Sequence, residues 1–133
     1  MYLVDTNVWL ERLLEQEKYE EVKRFLDSTP SDRLFITDFA LHSIGIVLIR
    51  LKREKALLQF VQDAFVDGAV SLVHLLPGDL PDLLKVVSSF RMDFDDAYQY
   101  VAASKYNLVL ISFDSDFDHT PLGKKTPSEV FDS

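Results

Sequence analysis

The run Leu108-Val109-Leu110-Ile111-Ser112-Phe113-Asp114-Ser115-Asp116 decides how this chain is read. Its apolar half shows no polar alternation, the pattern of a strand buried on both faces in a parallel sheet. The acids follow where such a strand stops. Near the start of the chain Tyr2-Leu3-Val4-Asp5 repeats the figure, an apolar run closed by an aspartate. Ligands of open parallel sheets bind beyond the carboxyl ends of the strands. If these two strands are neighbours, Asp5, Asp114 and Asp116 converge there. A third acidic knot, Met92-Asp93-Phe94-Asp95-Asp96-Ala97, opens an expected helix and brings Asp96 to the group. Carboxylates crowded together repel strongly. The arrangement therefore calls for a hard divalent cation, Mg²⁺ or Mn²⁺, in an all-oxygen site.

Working outward, strands and helices alternate. Leu34-Phe35-Ile36 and Val70 to Val73 read as further buried strands. Thr6-Asn7 offers a cap for a helix through Leu14, and a second helix is expected over about residues 17–28. Thr37-Asp38 caps a helix running to Leu51, followed by one from Glu54 to Phe65 or Val66 and another over about residues 79–90. Asp93 caps a helix through Ala102 that ends near Asn107. The tail, with Pro121, Gly123 and Pro127, reads as irregular, with Pro127 to Phe131 a final turn or edge strand. This alternation predicts an α/β fold around a parallel sheet. No repeat or linker divides the chain, so a single domain over residues 1–133 is expected. In the helix after residue 37, Ile46 and Ile49 lie off the main apolar stripe, which predicts burial on more than one side. Either a neighbouring helix or a second subunit serves, and the dimer is the preferred reading.

With 133 residues, 47% of them hydrophobic and 12% aromatic, the chain is long enough to bury a core. It has no cysteine, which excludes disulfides, thiolate zinc sites and cysteine nucleophiles. No basic stretch leads into an apolar one, and no apolar run approaches membrane-spanning length, so a cytoplasmic protein without membrane contact is expected. The net charge of −8 argues against a generic nucleic-acid binder. That argument weakens if several acids are masked by metal. Arg50, Lys52, Arg53 and Lys55, and separately Lys124 with Lys125, offer local phosphate contacts or simply solvated surface.

Each acid also has a plainer explanation. Asp5 can open a turn, Asp93 and Asp96 can favour a helix start, and Asp114-Ser115-Asp116 can be a polar loop. Independent loops, however, have no reason to put acids at two strand ends and one helix start. A calcium loop beginning at Asp114 would need Gly and Glu where the chain has His119 and Lys125, so that reading fails. A strand followed by Asp-x-Asp also suits a small phosphatase with Asp114 as nucleophile, but fewer than twenty residues remain after the motif. His42 and His119 read as packing or surface residues.

The pattern as a whole resembles PIN domains, and among them the toxin half of VapBC-type toxin–antitoxin pairs. Val4-Asp5-Thr6-Asn7 resembles the family's opening strand and first metal-binding acid. Asp96-Ala97 resembles its "D-A" motif. Ser112-Phe113-Asp114-Ser115-Asp116-Phe117 resembles its closing "T-x-D-x-D-F", with Ser112 in place of threonine. The match runs through nearly the whole chain in order and spacing. It implies a three-layer α/β/α fold with a central, mostly parallel sheet of four or five strands. It implies a metal-dependent endoribonuclease that hydrolyses phosphodiesters with water activated at Mg²⁺ or Mn²⁺. Asp5, Asp96 and Asp114 would be catalytic and, with Asp116, would hold the metal. Asp93, Asp38 and Ser112 are possible supporting residues, Ser112 by hydrogen-bonding Asp5 or Asp114. RNA is the implied substrate, a small antitoxin the implied partner, and a homodimer the implied assembly. One departure stands out: Ser43 falls where the family commonly has a glutamate. It opens the alternative of a catalytically weak module that binds RNA or protein.

Overall fold

A computed structural model describes residues 1–131; residues 132–133, the last two of the expected domain, lie outside the described residues. The strands are β1 (Tyr2–Val4), β2 (Leu34–Thr37), β3 (Ser71–Val73) and β4 (Val109–Ile111). They form one all-parallel sheet in the order β3-β2-β1-β4. In register, Tyr2 lies beside Leu34 on one flank and Val109 on the other, and Val4 lies beside Ile111. Beyond β4 a single parallel bridge joins Ile111 to Lys125.

The strands are short, and successive side chains point to opposite sides of the sheet. The expected buried strand near Val70 to Val73 is an edge strand, β3, whose Leu72 stays 49% exposed. Val4, Ile36 and Ile111 enter one apolar cluster, while Leu3, Val73 and Leu110 enter the other. The first face is covered by α1 (Thr6–Leu13), α2 (Tyr19–Ser28), α3 (Asp38–Arg50) and α4 (Glu54–Val61). Val8, Trp9, Val22, Phe25, Ile44 and Leu48 supply the packing there. The second face is covered by α5 (Leu80–Phe90) and α6 (Phe94–Lys105), through Leu83, Ala97, Val101 and Ala102. The result is the expected α/β/α layering, with four strands among the described residues.

Trp9 ties the first layers together. Its indole N–H donates to the Val4 carbonyl at 3.1 Å, and its ring lies 5.2 Å from that of Phe60. A buried indole that finds both an acceptor and an aromatic neighbour fixes α1 against β1 and α4.

The structure refines several boundaries. Asp5, not Thr6-Asn7, caps α1, its carboxylate accepting from the Thr6 N–H. The fourth helix passes into a π-helical turn over Gln62–Val66. Pro127–Phe131 is a short helix, α7, packed on α2, and not an edge strand. One partner for the second side of α3 lies within the chain: α4, through Leu57 and Leu41. Ile46 and Ile49 nevertheless stay about half exposed.

The chain visits β1, β2 and β3 in one direction across the sheet and then returns to place β4 on the far side of β1. Loops leaving β1 and β4 therefore diverge to opposite faces and open a crevice between them. This is the topological switch point at which open α/β sheets bind ligands.

Candidate metal centre

The crevice holds a pocket of about 280 Å³ lined by Asp5, Asn7, Phe39, Ser43, Asp95, Asp96, Gln99 and Asp114, among others. Three elements deliver its acids. Asp5 ends β1, Asp96 stands in the first turn of α6, and Asp114 follows β4.

Asp5 is the buried member, 7% exposed, and both its oxygens are engaged. Oδ1 accepts from the Thr6 N–H at 2.8 Å and from the Gln99 side-chain amide at 3.0 Å. Oδ2 accepts from the Ser112 hydroxyl at 2.8 Å and, more distantly, from Asn7 Nδ2 at 3.5 Å. Ser112 also accepts from the Asp114 N–H at 3.0 Å, so one hydroxyl joins the two strand-end acids. Asn7 steadies the same loop, its Oδ1 accepting from the Phe113 N–H at 3.2 Å. Burial raises the Asp5 carboxyl above its ordinary value, against the opposing pull of these donors.

Asp96, Asp114 and Asp116 each bring a carboxylate oxygen to within 4.8 Å of the others. Asp5 lies outside this tightest set, buried in the pocket wall, and Asp116 is exposed and does not line the pocket. Burial, reinforced by the charges of Asp114, Asp5 and Asp116, pushes the Asp96 carboxyl up to about 7. Among the described residues no lysine, arginine or histidine forms an ion pair with any of the four. Uncompensated carboxylates at this spacing are what a small divalent cation neutralises, and the donors are all oxygen. The residues present therefore fit such an ion.

The supporting candidates fall out differently. Ser112 bridges Asp5 and Asp114 as described. Asp38 does not line the pocket and is engaged elsewhere, accepting from the Tyr98 hydroxyl at 2.7 Å and the Phe39 N–H at 2.8 Å. Asp93 occupies the cap position of α6 without a side-chain capping bond and does not line the pocket. Asp95, its neighbour in the acidic knot, does. His119 bonds the Phe90 carbonyl at 3.1 Å on the α5 side, and Lys124 is paired with Asp118 at 3.0 Å. Ser43 does line the pocket, one α3 turn beyond Phe39.

Sequence reasoning missed Gln99. It is 2% exposed on α6, three residues after Asp96 and hence on the same face. Its signal was present: a lone amide within Ala97-Tyr98-Gln99-Tyr100-Val101-Ala102-Ala103, a stretch otherwise without charged or amide side chains.

The PIN domain family model matches residues 2–122 of this chain. No curated protein matches it. Among solved structures, one chain of a toxin–antitoxin complex from Klebsiella pneumoniae is similar at TM-score 0.76 and 18% identity, covering 96% of this chain and 98% of its own. Mycobacterium tuberculosis VapC20, a sarcin–ricin loop cleaving toxin, aligns at TM-score 0.75 and 18% identity over 89% of this chain and 93% of its own. FitAcB from Neisseria gonorrhoeae aligns at TM-score 0.74 and 18% identity over 96% and 99%. At such identities the likeness is one of fold.

Proposed function

The chain belongs to the PIN domain family, and on that premise we propose that it is a metal-dependent endoribonuclease, the toxin of a toxin–antitoxin pair. The observation that carries this reading is the convergence of Asp5, Asp96, Asp114 and Asp116, unpaired by any cation among the described residues, in a crevice at the switch point of the sheet. Similar folds occur in toxin–antitoxin complexes and in a toxin that cleaves the sarcin–ricin loop, which supports an antitoxin partner and an RNA substrate here.

In this proposal Asp96, Asp114 and Asp116 would hold Mg²⁺ or Mn²⁺, with Asp5 completing the site from the pocket wall. A bound divalent ion supplies a more acidic water and neutralises charge at the phosphate. The chain itself does the rest. Ser112 and Asn7 keep Asp5 and the Asp114 loop in a common orientation. No covalent step is needed, in keeping with the lack of cysteine. The protein's overall negative charge would be locally offset at the ion.

Cleavage of RNA oligonucleotides in Mn²⁺ or Mg²⁺ tests this, comparing wild type with Asp5→Asn and Asp114→Asn. Each substitution should reduce the rate by more than the ~10–100-fold typical of losing an outer partner of a metal ligand. Chelator should abolish activity. Cleavage that survives both variants, or ignores chelator, rules the proposal out. Ser43 in the pocket wall favours one alternative, a module that binds RNA without efficient cutting. It would bind RNA in Mn²⁺ with no cleavage by wild type.

A further inference from the structure

Resting on the metal-centre reading above, we propose that Gln99, held by Thr37, is a positioning residue that orients the Asp5 carboxylate towards the ion. The Thr37 hydroxyl accepts from the Ala40 N–H at 2.9 Å as the cap of α3. It has one proton, which it donates to Gln99 Oε1 at 2.6 Å. The two contacts together fix which way round the amide lies: a carboxylate only accepts, so the flipped amide would set Oε1 against Asp5 Oδ1 and leave the Thr37 hydroxyl proton without its acceptor. Gln99 Nε2 must then face Asp5, and it donates to Oδ1 at 3.0 Å.

The consequence for Asp5 is specific. A carboxylate oxygen has two lone pairs, and on Oδ1 both are occupied, by Thr6 N–H and Gln99. Oδ2 has one short donor, Ser112, and only a long contact from Asn7. The oxygen with spare capacity is therefore Oδ2. The chain Ala40–Thr37–Gln99–Asp5 links β2, α6 and β1, so the elements that frame the pocket also determine the rotation of its deepest acid. An amide buried to this degree costs stability unless both its ends are bonded. A leucine or methionine would fill the same space without that demand, so simple core filling leaves the amide unexplained.

Calorimetric titration of Mn²⁺ into wild type, Gln99→Met, Thr37→Val and Thr37→Ser, with thermal unfolding of each metal-free protein, tests the proposal. Gln99→Met should weaken Mn²⁺ binding by about 10–100-fold, the range for an outer partner of a metal ligand. Thr37→Val should weaken it in the same direction but less, since the amide loses the donor that anchors Oε1 while keeping its bond to Asp5, and Thr37→Ser should restore wild-type affinity. If Gln99→Met does not fold, the Thr37→Val and Thr37→Ser pair decides. Folded variants that bind Mn²⁺ as wild type does, even with lower unfolding temperatures, overturn this proposal and leave the nuclease reading standing. A wild type that binds no Mn²⁺ overturns both.

Discussion

At the scale of single residues, Asp96 has the sharpest consequence. Its carboxyl is raised to about 7, first by burial and then by Asp114, Asp5 and Asp116. A folded-state value above the unfolded 3.8 means the folded chain holds the proton more tightly. The stabilising contribution is thus complete below the unfolded value of 3.8, falls progressively above it and is gone once pH has risen through about 7. Metal-free protein should lose unfolding temperature as pH rises from the unfolded value of 3.8 to the folded value of about 7, and Asp96→Asn should flatten that slope. At about pH 8 the variant should melt roughly 2–4 °C higher, the response to ~1 kcal/mol of relieved repulsion after discounting for solvent screening. Mn²⁺ should act in the opposite sense. Below about pH 7 the ion must displace a proton, so its affinity should fall with decreasing pH in wild type. Thermal unfolding and calorimetry across pH check both statements. A metal-free melting curve indifferent to pH, with Asp96→Asn unchanged from wild type, would refute them. The placement of these acids at strand ends and a helix start is visible in sequence, as Asp5 after Tyr2-Leu3-Val4 illustrates. The pairing of Gln99 with Asp5 is not, because it joins residues 94 positions apart.

At the scale of elements, α6 presents Asp96 and Gln99 on one face because helical positions three apart are neighbours. The same helix buries Ala102 and Ala103 completely against the sheet. Its end is set by Asn107 in a left-handed conformation, φ 56°, with the Leu108 N–H returning to the Ala103 carbonyl at 2.8 Å. The π turn after α4 shows a different case, where the local pattern gives the extent of the helix to Val66 but not its winding. Apolar periodicity runs on to Phe65 and Val66, but the backbone widens at Gln62–Val66 so that Asp67 N–H reaches the Gln62 carbonyl at 2.8 Å. Gly68 permits this. A Cβ there would stand 2.6 Å from the Asp63 carbonyl oxygen and 2.8 Å from that of Ala64. Gly68→Ala should therefore destabilise the fold by about 1–3 kcal/mol. Mn²⁺ affinity should be unchanged, because the turn lies on β3's approach and not in the acidic crevice. Denaturant unfolding with calorimetry measures the two effects separately, and an unaltered unfolding midpoint would contradict the steric argument.

At the scale of the whole molecule, an ion that binds only the folded chain must stabilise all of it. Mn²⁺ at 100 times its dissociation constant should add ~2.7 kcal/mol, seen as a rise in unfolding temperature that chelator reverses and Asp114→Asn removes. Failure of saturating Mn²⁺ to shift the transition would deny that the pocket holds the ion. Among the described residues no helix is long and apolar enough to cross a membrane. What the amino-acid sequence determined by itself is what short range controls. Unbroken apolar runs specify buried parallel strands, helical periodicity between them specifies layers on both faces, and acids at the ends of those runs specify where charge will gather. What only tertiary structure decided is every relation between distant segments. The order β3-β2-β1-β4 placed Asp5 beside Ser112, the start of α6 turned Asp95 and not Asp93 to the pocket, and Asp38 found its partner in Tyr98 and not in the pocket lining. These outcomes depend on which surfaces pack together. Burial and hydrogen-bond satisfaction act across space, and spacing along the chain does not record them.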